Sequence, residues 1–254
     1  MATLFDNLVV QQTVAGNALV EGNWYSYVDS FGTCQATYKG REATHTGASD
    51  YHILLSTVNA DSDSNASPEA DCYTTDASGN TFNAFVISGS SMLTYPSTNI
   101  IKANKGSIAF MWKAPLPYNK FTANFKLVYL PNFLDFNYRY NEKKFYYVMN
   151  DGGWVTCITS SNAQTFGAND WLKFCITWDT SSATTMALYI DSSTPDDTYG
   201  SSWTAQTIPS TLYIGVKDTG ISQSDGAFDE LRIYSEASTS AKVETLFSTT
   251  WGGY

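Results

Sequence analysis

Ion pairs, metal knuckles and imidazole chemistry have little material to work with in this sequence. Its 254 residues include 2 histidines, 4 cysteines and a charged fraction of 15%. The cysteines (Cys34, Cys72, Cys157, Cys175) are too few for a dense disulfide framework and form no paired CxxC knuckle for zinc. His45 and His52 stand outside any HExxH pattern, so they read as surface or packing histidines. No apolar run approaches the length that spans a bilayer as a helix, which argues against membrane insertion. Positive charge is short as well: 14 Lys and Arg face 24 Asp and Glu, a formal net charge of −10. Such a chain repels phosphate backbones at long range, and nucleic acid is not expected as a partner. The N-terminus, Met1-Ala-Thr-Leu-Phe-Asp, has no basic start, apolar stretch or small-residue cleavage site, so a secretory signal was either removed or never needed. Phosphate loops, GxSxG elbows and dinucleotide fingerprints are missing too.

What is present is aromatic and hydroxylated. The chain holds 7 Trp, 17 Tyr and 14 Phe beside 28 Ser and 30 Thr, and 43% of it is hydrophobic. That is too much apolar surface for a disordered chain, and hydroxyls rather than charges supply its solubility. Charge is unevenly placed. Residues 102–147 carry 8 Lys and Arg against Asp135 and Glu142, whereas residues 1–101 carry 10 acids against Lys39 and Arg41. A local basic face and basic residues scattered along polar strand faces are both compatible with this.

From about residue 80 the hydrophobic period is two. Ile108, Phe110 and Trp112 alternate with Ala109, Met111 and Lys113. Leu172, Phe174, Ile176 and Trp178 do the same, followed by Met186, Leu188 and Ile190, then Leu212, Ile214 and Val216. Turn residues separate these runs in Asn150-Asp-Gly-Gly, Gly167-Ala-Asn-Asp, Asp179-Thr-Ser-Ser and Asp218-Thr-Gly. Many strands joined by such loops predict an all-β sandwich or barrel. One short helix is expected where Ser240 caps Ala241-Lys-Val-Glu-Thr-Leu-Phe and sets Val243, Leu246 and Phe247 on one face. Cys157 and Cys175 sit in strand-like apolar runs and read as free buried thiols, while Cys34 and Cys72 stay open between a bridge and two thiols.

Several segments, in order, carry a resemblance. They are Gly106-Ser-Ile-Ala-Phe-Met-Trp-Lys, Trp171-Leu-Lys-Phe-Cys-Ile-Thr-Trp-Asp, Met186-Ala-Leu-Tyr-Ile-Asp-Ser, Ser210-Thr-Leu-Tyr-Ile-Gly-Val, Asp225-Gly-Ala-Phe-Asp-Glu-Leu-Arg-Ile-Tyr and Ser240-Ala-Lys-Val-Glu-Thr-Leu-Phe. Together they resemble a laminin-G-like, concanavalin A-like jelly roll over roughly residues 79–248. Ser192 departs from the pattern, since relatives often place Gly there. The resemblance implies two antiparallel sheets stacked face to face, with one short C-terminal helix. It also implies a concave face and loop rim of the kind relatives use to bind glycans or proteins. Residues 1–78 fall outside it and are expected to be a docking or oligomerisation segment, separable from the jelly roll of 79–254.

Function must then come from the site. Asp229 is the metal candidate: simple alternation puts it on a face with Leu231 and Ile233, where a carboxylate needs a cation or several hydrogen bonds, and in similar proteins the matching Asp often holds structural calcium. A carboxylate satisfied by amides or a base is the equal alternative. Asp61-Ser-Asp-Ser-Asn opens like a calcium loop but has Ala66 and Cys72 where Gly and Glu belong, so it reads as a solvated acidic loop. Asn65-Ala-Ser67 is a formal glycosylation sequon, weakened by Pro68. The Glu-x-Asp-x-(x)-Glu strand of glucanases of this fold does not occur. The pairs Asp196-Asp197 and Asp229-Glu230 are adjacent and face opposite ways in a strand. The expected protein is therefore not an enzyme. Phe136, Tyr138, Tyr140, Phe145, Tyr146 and Tyr147 surround a hairpin at Asn141-Glu-Lys-Lys and put rings on both of its faces. Tyr138, Tyr140 and Tyr146 are the expected carbohydrate-binding residues, against the alternative that the hairpin is buried on both sides.

The combined reading is a surface-exposed binding or adhesion protein that recognises carbohydrate or a cell-surface glycan. Scarce charge, Ser/Thr richness and no leader resemble phage or viral decoration and fibre proteins, which places it at a virion surface or outside the cell, as a homo-oligomer docked through residues 1–78. A purely structural cement protein and a polysaccharide-degrading enzyme of the same fold are the alternatives.

Overall fold

The computed structural model describes the backbones of six strands between residues 23 and 96, Ser97, and residues 101–248 other than 161–162, 205 and 216–223; within that last span the side chains at 154–157, 229, 230 and 232 are not described. Its strands are β1 (Asn23–Asp29), β2 (Gly32–Tyr38), β3 (Tyr51–Leu54), β4 (Tyr73–Thr74), β5 (Ala84–Ile87), β6 (Leu93–Pro96), β7 (Lys105–Lys113) and β8 (Phe125–Leu130). They continue with β9 (Leu134–Arg139), β10 (Lys144–Asn150), β11 (Trp154–Thr159), β12 (Trp171–Asp179), β13 (Met186–Ile190), β14 (Asp197–Tyr199), β15 (Thr211–Ile214) and β16 (Gly226–Tyr234). The helix α1 (Ser240–Ser248) follows.

Two antiparallel sheets result. One has six strands in the order β11-β10-β9-β8-β15-β6; the other runs β14-β13-β12-β7-β16-β5-β4, with β3 also paired to β16. β1 and β2 form a separate two-stranded pair. The expected division at residue 78 falls between β4 and β5, which pair with each other, and β3 pairs along Leu231–Tyr234. Backbone from residues 1–78 is thus hydrogen-bonded into the larger sheet.

The alternation predicted for β7 and β12 holds in register. Leu172, Phe174 and Ile176 pair with Trp112, Phe110 and Ile108, and Trp178 lies opposite Gly106. A Cβ at Gly106 would come within 2.4 Å of the Trp178 ring, so only glycine lets that indole lie flat on the strand. Facing them from the six-stranded sheet are Phe136, Tyr138, Phe145 and Tyr147, all fully buried. Ring centroids of Phe145 and Phe174 lie 4.8 Å apart, Phe136 and Phe174 5.3 Å, and Trp112 and Phe125 5.3 Å, the offset and edge-on spacings that quadrupoles favour. Four polar tips in this layer find carbonyls. Trp112 Nε1 donates to Asp225 O (3.0 Å), Trp178 Nε1 to Lys102 O (3.0 Å), Tyr147 OH to Thr177 O (3.1 Å) and Tyr138 OH to Tyr118 O (3.1 Å).

The outer face of the larger sheet is closed by the end of the chain. Ser107 Oγ donates to Glu236 O and accepts from Ser238 N, both at 2.7 Å, and Lys173 Nζ donates to Phe247 O at 2.6 Å. Ala109, Met111, Cys175 and Tyr189 are buried on that side, and α1 adds Val243 and Leu246. The helix starts as expected, but its cap is Thr239 rather than Ser240: Thr239 O accepts from Val243 N and its Oγ1 accepts from Lys242 N. Cys175 is a free buried thiol, as read from the sequence, and burial pushes it up to about 12. The side chains of Cys34, Cys72 and Cys157 lie outside the described residues, as do His45, the Asp61–Asn65 loop and the sequon.

The left-handed residue after β13 is Asp191 (φ 53°), whose Oδ1 accepts from Lys173 N at 2.7 Å, so the non-glycine Ser192 is accommodated without strain. At the start of β16, Gly226 has φ 106°, and a Cβ there would lie 2.4 Å from Lys113 O and 2.8 Å from Trp112 Nε1. Gly226→Ala is therefore expected to lower stability by about 2–4 kcal/mol, from left-handed strain plus a backbone clash. Chemical denaturation checks this, and an unchanged midpoint would refute the geometry. Lys242, over the Tyr234 ring at 4.4 Å, is pushed down to about 8 by burial. Between that value and the ordinary 10.5 the unfolded chain binds more protons than the folded one, so this group makes stability rise with pH. Lys242→Met is expected to stabilise the protein at pH 7 and to do so less at pH 10, read from unfolding midpoints at both.

Candidate functional site

Among the described residues, the outer face of the six-stranded sheet has no such cover over its central strands. β9 and β10 form the expected hairpin around Asn141-Glu-Lys-Lys, with Lys143 in the left-handed region (φ 57°). Because Phe136, Tyr138, Phe145 and Tyr147 point inward, alternation sends Lys126, Asp135, Asn137, Arg139 and Tyr146 outward. Lys126, Asn137, Tyr146 and Thr159 lie side by side across β8, β9, β10 and β11.

These outward groups are tied together. Lys126 Nζ donates to Asp135 Oδ2, and Asn137 Nδ2 donates to Asp135 Oδ1 at 3.0 Å. Lys126 and Asp135 are each 15% exposed, and the ammonium also lies 4.8 Å from the Tyr129 ring. The Arg139 guanidinium stacks on Tyr146 at 3.8 Å, close enough for a cation–π contact, and lies 3.7 Å from Glu142, which accepts from the Tyr146 hydroxyl. Beside this row is a depression of about 390 Å³, lined by Asn124, Lys126, Asp135, Asn137, Arg139 and Glu142 among others.

The three tyrosines expected to bind sugar fare differently. Tyr138 is not at the surface: it is 0% exposed, stacks at 5.1 Å on Phe125, and burial pushes its phenol up to about 12. It offers no face to a ligand, because its side of β9 is the core side. Tyr146 is outward but 9% exposed, its ring covered by Arg139, so the flat surface presented there is a guanidinium rather than a phenol. Tyr140 keeps part of its ring free at the hairpin end, where its backbone N–H donates to Asn124 Oδ1 at 3.1 Å. The sequence reading passed over Arg139, Asn137 and Asp135. Their signal was available in Asp135-Phe-Asn-Tyr-Arg, a polar residue at every second position between aromatics.

Asp229 lies in the backbone of β16, but its side chain is outside the described residues. The register changes the basis on which it was singled out. Asp229 pairs with Met111 and Arg232 with Ala109, so an extra residue bulges β16 between them. Ile233 pairs with Ile108 on the core face, whereas position 229 falls opposite Met111 on the other face, not with Leu231 and Ile233. Among the described residues no group of three or more His, Cys, Asp or Glu is placed to hold a metal ion. On the sheet face Asp135 already accepts from two nitrogen donors and is poorly suited to a cation. Asp197 is also in use, its Oδ2 accepting from Thr159 N at 3.1 Å to join the edge strands β14 and β11.

This arrangement, two antiparallel sheets around an aromatic layer, defines a jelly-roll sandwich, and function has to be argued from its polar outer row. The sequence matches the family model described as the concanavalin A-like lectin/glucanases superfamily over residues 88–244, and the chain belongs to that family. No curated protein sequence matches it significantly. Similar solved structures include the receptor-binding domain of botulinum neurotoxin mosaic serotype C/D (TM-score 0.57, 14% identity, 82% of this chain and 48% of that one). The ligand-binding domain of botulinum neurotoxin serotype D in complex with N-acetylneuraminic acid is also similar (TM-score 0.56, 13% identity, 82% and 48%). A Trypanosoma rangeli sialidase mutant displaying trans-sialidase activity superposes at TM-score 0.50, with 14% identity, over 66% of this chain and 28% of that one. The chain spans about half the length of the neurotoxin domains, and at these identities the likeness is one of fold.

If Lys126 and Asp135 form a working pair, a double-mutant cycle of Lys126→Met and Asp135→Asn is expected to give a coupling of about 1 kcal/mol in unfolding free energy. Strict additivity would show the pair to be energetically idle.

Proposed function

We propose that this protein is a non-enzymatic glycan-binding module whose contact surface is the outer face of β8, β9 and β10. The observation that carries the reading is the fixed row Lys126–Asp135–Asn137 beside the Arg139–Tyr146 stack, bordering the 390 Å³ depression. A sugar ring presents hydroxyls that donate and accept at once, together with an apolar C–H face. A carboxylate has lone pairs beyond the two used here, an amide offers both polarities, and a guanidinium plane supplies spare N–H groups beside a flat surface. The row is held before any ligand arrives, which lowers the ordering cost of binding. The neurotoxin domain bound to N-acetylneuraminic acid and the family membership are in keeping with this reading.

Asp135 is engaged by Lys126, and Glu142 accepts from Tyr146 and lies beside Arg139, so both carboxylates act as positioning groups and neither is free to work as the acid of a hydrolytic pair. The reading extends to a place of action at a virion surface or outside the cell, with residues 1–78 contributing to attachment on a larger assembly. Calcium in this reading is structural, at Asp229, and not a bridge to the sugar.

The test is a broad array of glycans and polysaccharides probed with the full chain, in calcium and in chelator. Saturable binding of similar strength in both is expected. Asn137→Ala and Arg139→Ala should each weaken it at least tenfold, about 1.4 kcal/mol, while Tyr138→Phe leaves it unchanged. No binding in either condition would overturn the reading in favour of a structural assembly protein, and new reducing ends would overturn its non-enzymatic part.

A further inference from the structure

The depression on the sheet face does not stop at the hairpin. A second one of about 420 Å³ adjoins it, and Asn124 and Phe125 line both. Each is of the size in which proteins bind small ligands, about 300–1,000 Å³. Asn124 stands on the ridge between them, its Oδ1 held by Tyr140 N and its amide N–H groups left as donors.

The second depression differs in character from the first. Leu116, 45% exposed, is the one large apolar side chain standing out of the surface among the described residues, and it lines this wall with Pro115 and Phe121. Phe121 is anchored from behind by Phe125 at 4.8 Å and Trp112 at 6.3 Å, so its ring is a fixed wall. The opposite wall is Ser224 and Asp225. Asp225 sits in the left-handed region (φ 42°) with its backbone carbonyl held by Trp112 Nε1, which fixes the backbone at this side of the depression. Ser224 Oγ is buried and has no hydrogen-bond partner among the described residues, an uncompensated polar group in the lining. An apolar wall facing a hydroxyl and a carboxylate suits a sugar ring with one face of C–H bonds and an edge of hydroxyls.

Charge narrows the class of sugar. On the sheet face Lys126 is matched by Asp135 and Arg139 by Glu142, and over the ridge the lining holds one cation, Lys120, and one carboxylate, Asp225. Among the described lining residues cations and carboxylates are equal in number, with no surplus cation for a carboxylate or sulfate, and the chain as a whole carries −10. We propose that the two depressions form one continuous groove that binds a neutral oligosaccharide across several rings, with Leu116, Phe121 and Asp225 forming a second subsite beyond Asn124. This rests on the glycan-binding reading above and adds length and charge selectivity to it.

The experiment is isothermal titration of the full chain with neutral oligomers of glucose, mannose and galactose from one to six units, alongside oligogalacturonate as the acidic probe. At least one neutral series is expected to gain tenfold or more in affinity with length, and oligogalacturonate to bind at least tenfold more weakly than the best neutral oligomer. Leu116→Ser, at an exposed position that leaves the melting temperature unchanged, should remove most of the gain with length while the shortest binding oligomer is unaffected. Arg139→Ala should weaken every length. Length-independent affinity, an undiminished gain in Leu116→Ser, or preference for oligogalacturonate would each overturn the extended groove while the sheet-face site stands. Silence toward every neutral oligomer overturns the groove, and silence on the broad array as well overturns the glycan reading beneath it.

Discussion

The spacing between the two sheets is set by aromatic rings, and the other features of the molecule follow from how those rings are held. Trp112 and Phe145 sit at the centre, in contact with Phe125, Phe166, Phe136 and Phe174. Burying so much planar surface is the largest favourable term available to a chain this poor in ion pairs. It also imposes rules on the backbone. Glycine is required at 106, where Trp178 lies against the strand, and the Trp112 indole N–H ties down Asp225 and so fixes where β16 begins. The core thereby reaches the rim, since the residue that satisfies Trp112 is also one wall of the second depression.

The two outer faces are treated in opposite ways. Over β7 and β12 the end of the chain supplies carbonyls, amides and the apolar side of α1, leaving Met111 and Cys175 buried. Over β8, β9 and β10 the outward row is Lys, Asp, Asn, Arg and Tyr, each with a partner yet each with hydrogen-bonding capacity to spare. A surface that is polar, ordered and already internally paired loses little entropy when a hydroxylated ligand replaces its water.

Much of the architecture was legible because a half-buried strand writes its pattern at period two. Ile108-Phe110-Trp112 and Leu172-Phe174-Ile176 pair as their alternation suggests, and the helix lies within one residue of its expected cap. Alternation does not say which face is inside when both carry rings. That is why Tyr138, with Phe136 and Phe145, turned out to be core while the polar residues between them face outward and form the candidate site. Nor does it survive a bulge: one extra residue in β16 moves position 229 to the face of Met111. The burial of Tyr146 was hidden for a third reason, since the group that covers it, Arg139, reaches it across strands, a contact that no reading along one strand reveals. The pairing of β3 with β16 lacked a sequence signal of any kind, because β3 finds its partner about 180 residues further along the chain.

That last kind of pairing has a kinetic side. β7, at the middle of the larger sheet, is flanked by β12 and β16, whose partner residues begin some sixty and more than a hundred positions later, and among the described residues its outer face is closed by those after 235. Loop closure over such distances is entropically costly and must precede the contacts that reward it. β7 is thus made well before either of the strands that flank it. During synthesis Ile108, Phe110 and Trp112 emerge well before the two strands that flank them in the sheet, which makes the nascent chain, rather than the finished sandwich, the state in which this sequence is most exposed to aggregation.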